Sequence, residues 1–145
     1  LDQVETRDNL RVVSDIGSWL PIYCTSQGKV FLAHMSRTSA EALLRAQHMT
    51  QFTPHTITDL TALMQEIDLC RANGYAIENG EYKIGLRSIS APVYTVEGKA
   101  RYTVGVIGMF RSTRSDEFLA AVEQVCATAS MISTALGYRK TEELL

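Results

Sequence analysis

The stretch from residue 87 to residue 110 constrains the fold most. RSISAPVYTV and ARYTVGVIGMF flank a Glu97-Gly98 turn. Both segments carry β-branched and aromatic side chains in partial alternation, which suits a pleated, half-buried surface. A glycine turn between two such segments predicts an antiparallel hairpin. Just upstream, YAIE and YKIGL flank Asn79-Gly80, the strongest short-range hairpin signal. A sheet built this way must bury a face, and helical patterns stand on either side of it to do so.

Three helices are expected before the sheet. The first covers residues 25–35, with Val30, Phe31 and His34 or Met35 at helical spacing behind Gly28. In TSAEALLRAQHM, Thr38 and Glu41 have the spacing of a capping box, with Leu43, Leu44 and Met49 facing inward. After the linker TQFTPHTIT, Thr58 caps a longer helix with Asp59 in its first turn. Leu60, Leu63, Met64, Ile67 and Cys70 form its stripe, and Gly74 is its left-handed stop. A last helix starts at Ser115. Phe118, Val122, Val125, Ala129, Ile132 and Leu136 keep a 3.6-residue period up to Gly137. At the other end, LRVVSDIGSWLPIYC is broken by Gly17 and Pro21 and predicts strand, turn and a tight entry. The sum is α+β, helices on a largely antiparallel sheet of the GAF or PAS kind.

With 145 residues the chain is one domain's worth, and 46% apolar against 21% charged residues is ordinary globular composition. No internal repeat or low-complexity tract is present. No run approaches the ~18 consecutive apolar residues of a membrane span, and no secretory leader opens the chain. A net charge of −2 argues against this segment gripping a phosphate backbone itself. Cys24, Cys70 and Cys126 are odd in number and far apart, which fits a reducing cytoplasm better than a disulfide framework. Opening on Leu1, the chain reads as a fragment of something longer.

Cys24 stands before a helix start, where a thiol pKa can fall and make a nucleophile, but no histidine neighbours it as a base. The alternative is a small packing residue. Cys70, Cys126, His34, His48 and His55 show no CxxC, HxxxH or HExxH spacing, so no closed zinc site is expected; a site assembled from distant segments stays open. SQGK lacks the first glycine of a phosphate loop and the Ser or Thr after Lys29. A more general feature survives: Thr25 can cap, while the N–H groups of Ser26, Gln27 and Gly28 point out of the helix start, where a small anion or water would sit. Glu78 is either a ligand partner or a solvated strand-end acid. Gly105 and Ile107 share a strand face, and the glycine marks either room for a ligand or a bulge.

Taken in order, these motifs resemble one family. LPIYCTSQGKVFLAH, GYAIENGEYKIGLRSISAPV, a glycine-turn hairpin and a final helix ending in STALG resemble the effector-binding domain of IclR-type bacterial transcriptional regulators. The shared positions are Pro21, Gly28-Lys29, Gly74-Tyr75, Gly80-Glu81, Gly85-Leu86-Arg87-Ser88-Ile89 and Ala91-Pro92-Val93, and the match runs from about Leu1 to Gly137. The resemblance implies a GAF-like curved antiparallel sheet packed with helices. It makes 1–145 an N-terminally truncated effector-binding domain, without the winged helix-turn-helix through which such regulators bind operator DNA. It implies a cytoplasmic, non-catalytic sensor working as a homodimer or homotetramer, with no cofactor, no metal and no membrane.

The resemblance also implies a pocket for a small organic acid. Ser26 and Gln27 would offer backbone N–H groups to its carboxylate. Glu78 would be the acidic position, Ser88 with Leu86 the strand position, and Val12 and Leu20 the apolar wall. Two positions that are serines in members binding very small keto acids are Gly105 and Ile107 here. That exchange removes hydroxyl donors and points to a larger, more apolar acid than glyoxylate or pyruvate, such as an aromatic carboxylate of a catabolic pathway, with Trp19 and Tyr23 near enough to line it. The competing readings are a Cys24 enzyme, a metal-dependent sensor, and a GAF-like module of a signalling enzyme.

Overall fold

A computed structural model describes residues 2–7, 12 and 15–140. The elements run α1 (Ser26–His34), α2 (Arg37–Arg45), α3 (Leu60–Asn73), β1 (Ala76–Asn79), β2 (Arg87–Tyr94), β3 (Ala100–Gly108) and α4 (Asp116–Ala135). The strands form an antiparallel sheet in the order β1-β2-β3, so the architecture is α+β. Most of the strand expected early in residues 10–24 lies outside the described residues. The turn at Gly17 within it is present, closed by Ser18 N–H donating to Asp15 O at 3.1 Å.

Strand β2 is the centre of the fold. Residues 88–93 are buried on both faces, because successive side chains point to opposite sides and each side has a helix. Ile89, Ala91 and Val93 pack with Phe118, Val125 and Ala129 of α4. Ser88 and Ser90 turn the other way, toward α1. Two covered faces explain why the alternation in sequence is only partial. Pro92 is tolerated in this central strand because β1 begins at Ala76 opposite Ser90, so Pro92 has no β1 partner to leave unbonded. A second core joins Val30, Leu32, Leu44, Leu63, Met64 and Ile67 of the three early helices.

Gly28 lets α1 sit where it does. A Cβ there would lie 2.1 Å from the Ile22 carbonyl oxygen, so only glycine admits this approach to the incoming chain.

Several expectations shift in detail. α2 is capped by Ser36, whose hydroxyl accepts from Ser39 N–H; Thr38 lies inside the helix and forms no capping box with Glu41. Glu41 instead pairs with Arg45 one turn on. Asp59, not Thr58, caps α3, its carboxylate accepting from Ala62 N–H, while Gly74 ends that helix at φ 77° as expected. The buried stripe of α4 ends on Ser133 rather than Ile132 and Leu136, because Ser133 Oγ accepts the Tyr94 N–H at 2.9 Å and draws that face onto β2. By length and composition α4 would suffice to cross a membrane; in this fold Phe118, Val125 and Ala129 hold it on the sheet.

The largest departure is at Asn79-Gly80. YKIGL is not a second strand. β1 pairs with β2 directly, Asn79 opposite Arg87, and residues 80–86 form an irregular loop between them.

Candidate functional site

The loop after β1 is held by polar groups from three directions, the third of them steadied from α3. From below, Glu78 Oε1 accepts the N–H groups of Glu81 and Tyr82 at 2.6 and 3.1 Å. From the linker, the hydroxyls of Thr53 and Thr56 donate to the carbonyls of Gly80 and Glu81 at 2.7 and 2.6 Å. From α1, the fully buried Lys29 ammonium donates to Glu81 Oε1 at 2.7 Å and to Ile77 O at 3.0 Å. From α3, Glu66 Oε1 meets the same ammonium at 3.3 Å. These bonds replace the ladder that a hairpin would have supplied.

Burial opposes both charges of the Lys29–Glu81 pair. For Lys29, Glu81 and Glu66 together outweigh that burial and hold the ammonium above its ordinary range. Glu81 is pushed up by burial despite Lys29 beside it, and its Oε2 is buried with no hydrogen-bond partner.

The loop and the start of α1 wall a cavity of about 300 Å³. Seven of the nine expected site residues line it: Val12, Leu20, Gln27, Glu78, Leu86, Ser88 and Ile107. Trp19 lines it too, whereas Tyr23 is buried in the helical core, its hydroxyl donating to Thr50 O. Tyr82 and Lys83 also line it. Sequence reasoning missed them because their segment read as a strand.

The start of α1 opens on this cavity through Thr25 and Gln27. Thr25 Oγ1 accepts the Gly28 N–H at 3.2 Å and donates to Pro21 O at 2.8 Å, so Gly28 is not a free donor, contrary to expectation. Lys29 N–H enters the helix ladder on Thr25 O. Among the described residues no acceptor takes the N–H groups of Ser26 and Gln27.

The Ser26 side chain is fully buried and is not among the residues that line the cavity. Its Oγ lies 2.7 Å from Ser90 Oγ and 2.8 Å from Ser88 Oγ. Ser88 Oγ lies in turn 3.2 Å from Glu78 Oε2. A chain of hydroxyls therefore runs under the helix start and ends on the Glu78 carboxylate, which is 3% exposed rather than solvated. Gly105 does not line the cavity. It pairs with Ser90, and a Cβ there would come within 2.4 Å of Ser90 Oγ and 2.5 Å of Ile89 O. The space opened by this glycine is filled by the Ser90 hydroxyl. Ile107, opposite Ser88, does reach the cavity.

Cys24 has no accessible surface, and its thiol is pushed up to about 12, first by burial and then by the charges of Glu81 and Glu78. A thiol held so far above neutrality is packing, not a nucleophile. Among the described residues no group of three or more His, Cys, Asp or Glu is placed to hold a metal.

The family described as "Bacterial transcriptional regulator IclR C-terminal" matches residues 1–134. The chain is 28% identical over 139 residues to the HTH-type transcriptional repressor AllR of Escherichia coli strain K12. That alignment covers 96% of this chain and 51% of AllR, so the chain spans about half the length of the curated relatives it matches. Among solved structures, a transcriptional regulator of Rhodococcus sp. RHA1 superposes with a TM-score of 0.86 at 29% identity, over 92% of this chain and 55% of that one. The IclR of Thermotoga maritima superposes with a TM-score of 0.82 at 30% identity, over 94% and 56% of the two chains. The matched family and these relatives are regulators of transcription, not enzymes. Residues 26–29 at the helix start, the loop after β1 and the strand β2 thus sit in a chain that belongs to the IclR C-terminal family of bacterial transcriptional regulators.

Proposed function

We propose that this chain is the effector-sensing part of a longer regulator and binds a small carboxylic acid in the cavity beside α1. The observation that carries this is the pair of N–H groups, on Ser26 and Gln27, left without an acceptor where a helix start meets a cavity of about 300 Å³. Unpaired N–H groups and the positive end of the helix dipole together favour an anion. Leu20, Leu86 and Ile107 give the rest of the cavity an apolar lining suited to a hydrocarbon or aromatic body. Operator DNA is bound by a helix-turn-helix segment outside these residues. The regulator acts in the cytoplasm in an even-numbered assembly. An effector shifts its DNA affinity by binding one of two states of that assembly more tightly than the other.

The test compares Ser26→Pro with Ser26→Ala. Both lose the buried hydroxyl, and only proline also loses the N–H. The residue before it, Thr25, is already extended at ψ 145°, so proline fits the first helical position. Calorimetry against a panel of small aliphatic and aromatic carboxylates is expected to show the proline variant weaker than the alanine variant by roughly ten-fold or more, the worth of one charge-assisted bond. Equal affinities would move recognition away from the main chain.

A further inference from the structure

We infer that the face of β2 turned toward α4 carries a second ligand site, for an aromatic ring bearing one acidic group, between the C-terminal half of α4 and the segment that follows it. The cavity there has a volume of about 270 Å³. Ala91 of β2 and Ala129 of α4 line it and belong to one packed cluster. Ser88, on the cavity beside α1, stands on the other side of the same strand. The two cavities share no lining residue among the described residues. This site therefore stands whether or not an acid binds at α1.

One wall is aromatic. The Tyr94 and Tyr138 rings stack with centroids 4.8 Å apart and planes 26° apart. The Tyr94 hydroxyl is already engaged with His34 Nε2 at 2.8 Å. The Ser133 hydroxyl donates to Ala129 O and accepts the Tyr94 N–H. Three other polar groups on this cavity are not engaged in that way. Among the described residues no hydrogen bond or ion pair takes the Ser130 hydroxyl, the Tyr138 hydroxyl or the Lys140 ammonium. All three can donate, one carries a full positive charge, and no described Asp or Glu lines the cavity. The cavity beside α1 differs, with Asp15 and Glu78 on the wall beside Lys83. Apolar walls at Ala91, Pro92 and Ala129 with a few donors suit a flat hydrocarbon body that ends in an acceptor group. The single lysine favours a single negative charge. The volume falls just below the usual range of roughly 300–1,000 Å³ for ligand pockets, so it admits one ring rather than a nucleotide.

The experiment titrates the isotope-labelled protein with benzoate, cyclohexanecarboxylate and benzyl alcohol and follows NMR shifts residue by residue. Benzoate is expected to move the signals of residues 91–94 and 126–140, with a dissociation constant of roughly 1 mM or tighter. Cyclohexanecarboxylate keeps the acid and lacks the aromatic face, so it should bind there roughly two- to ten-fold more weakly. Lys140→Met should weaken benzoate roughly three- to ten-fold and leave benzyl alcohol unchanged. Residues 141–145 lie outside the described residues and include Glu142 and Glu143. The titration is therefore repeated with Glu142→Gln and Glu143→Gln combined, where benzoate affinity should stay within about three-fold of wild type. No saturating shift at these residues below about 10 mM would overturn the inference. So would cyclohexanecarboxylate bound as tightly as benzoate, or a Lys140→Met chain in which benzoate is unaffected or weakens together with benzyl alcohol. Binding confined to the double glutamine variant would mean that the chain's own acids hold Lys140, and would overturn it too. Shifts confined to residues 20–27 and 78–88 would remove this site and support the acid site at α1; shifts confined to residues 91–94 and 126–140 would do the reverse.

Discussion

Replacing Gly105 with alanine tests how α1 is fastened to the sheet. The new Cβ would lie 2.4 Å from Ser90 Oγ and 2.5 Å from the Ile89 carbonyl oxygen. The hydroxyl can rotate away, but it then abandons Ser26 Oγ at 2.7 Å inside a fully buried contact. A lost buried partner costs about 1–3 kcal/mol. The carbonyl cannot rotate, so β2 and β3 must part locally, and overpacking of this kind costs about 1–3 kcal/mol more. Alanine recovers about 0.5–1 kcal/mol of backbone entropy relative to glycine. The net expectation is a loss of about 3 kcal/mol, or roughly 6–12 °C in Tm for a domain of this size. Urea and thermal unfolding of wild type and variant measure it. In a Ser90→Ala background the hydroxyl component is already gone, so the same substitution should cost less, with a coupling of roughly 1 kcal/mol. Because Gly105 lies off the cavity wall, acid affinity of the folded variant should stay within about three-fold of wild type at a temperature where both are folded. A Gly105→Ala protein melting within about 1 °C of wild type, or strict additivity with Ser90→Ala, would refute the packing argument.

Lys29→Met removes one ammonium from two acids and leaves Glu81 buried without its partner. Breaking a buried pair in this way costs about 3–5 kcal/mol, measurable by denaturant unfolding, and a loss under 1 kcal/mol would contradict the role assigned to Lys29. Cys24 and Cys70 should resist iodoacetamide in the folded protein and react only on unfolding, since burial pushes their thiols up to about 12 and about 11; prompt labelling of Cys24 under native conditions would reopen its chemistry. These raised values also set a pH dependence. The folded state holds each thiol proton more tightly than the unfolded chain, whose thiols titrate near 9. The contribution is complete below pH 9 and is lost as pH rises toward 11 for Cys70 and 12 for Cys24. Unfolding curves between those limits should fall less steeply for Cys24→Ala than for wild type, and parallel curves would exclude the assigned burial effect.

The hairpin of β2 and β3, the four helices and the glycine stop of α3 were all legible in the sequence, because each rests on local periodicity or on one residue's conformational freedom. Caps slipped where two candidates stood close together: Ser36 and Thr38, then Thr58 and Asp59. All four can accept a helix N–H, and the geometry of the entering chain chooses between them. The loop after β1 was not legible. Asn79-Gly80 is a turn by composition, but the partners that hold the following residues come from far away in sequence, from Thr53, Thr56 and Lys29. No local pattern encodes them, and so Tyr82 and Lys83 went unnoticed beside the cavity. Most cavity residues were found through family likeness. What that likeness could not convey was direction. Ser26 turns its hydroxyl inward, Ser90 fills the space beside Gly105, and the Glu78 carboxylate lies buried at the end of the same chain of hydroxyls.

One consequence follows from β2 being covered on both faces. Ser88 and Ser90 look toward α1, while Ile89 and Ala91, their immediate neighbours, are embedded against α4. The strand works as a party wall, with no cushioning layer between the two rooms. A ligand in the proposed site that moved α1 would push on one side of a strand whose other side packs on α4. If the proposed site binds its acid, substitutions at Phe118 or Val125, which pack on the far face of β2, are expected to change its affinity. Changes in the far helix would then alter affinity while the recognition chemistry proposed at α1 stays the same.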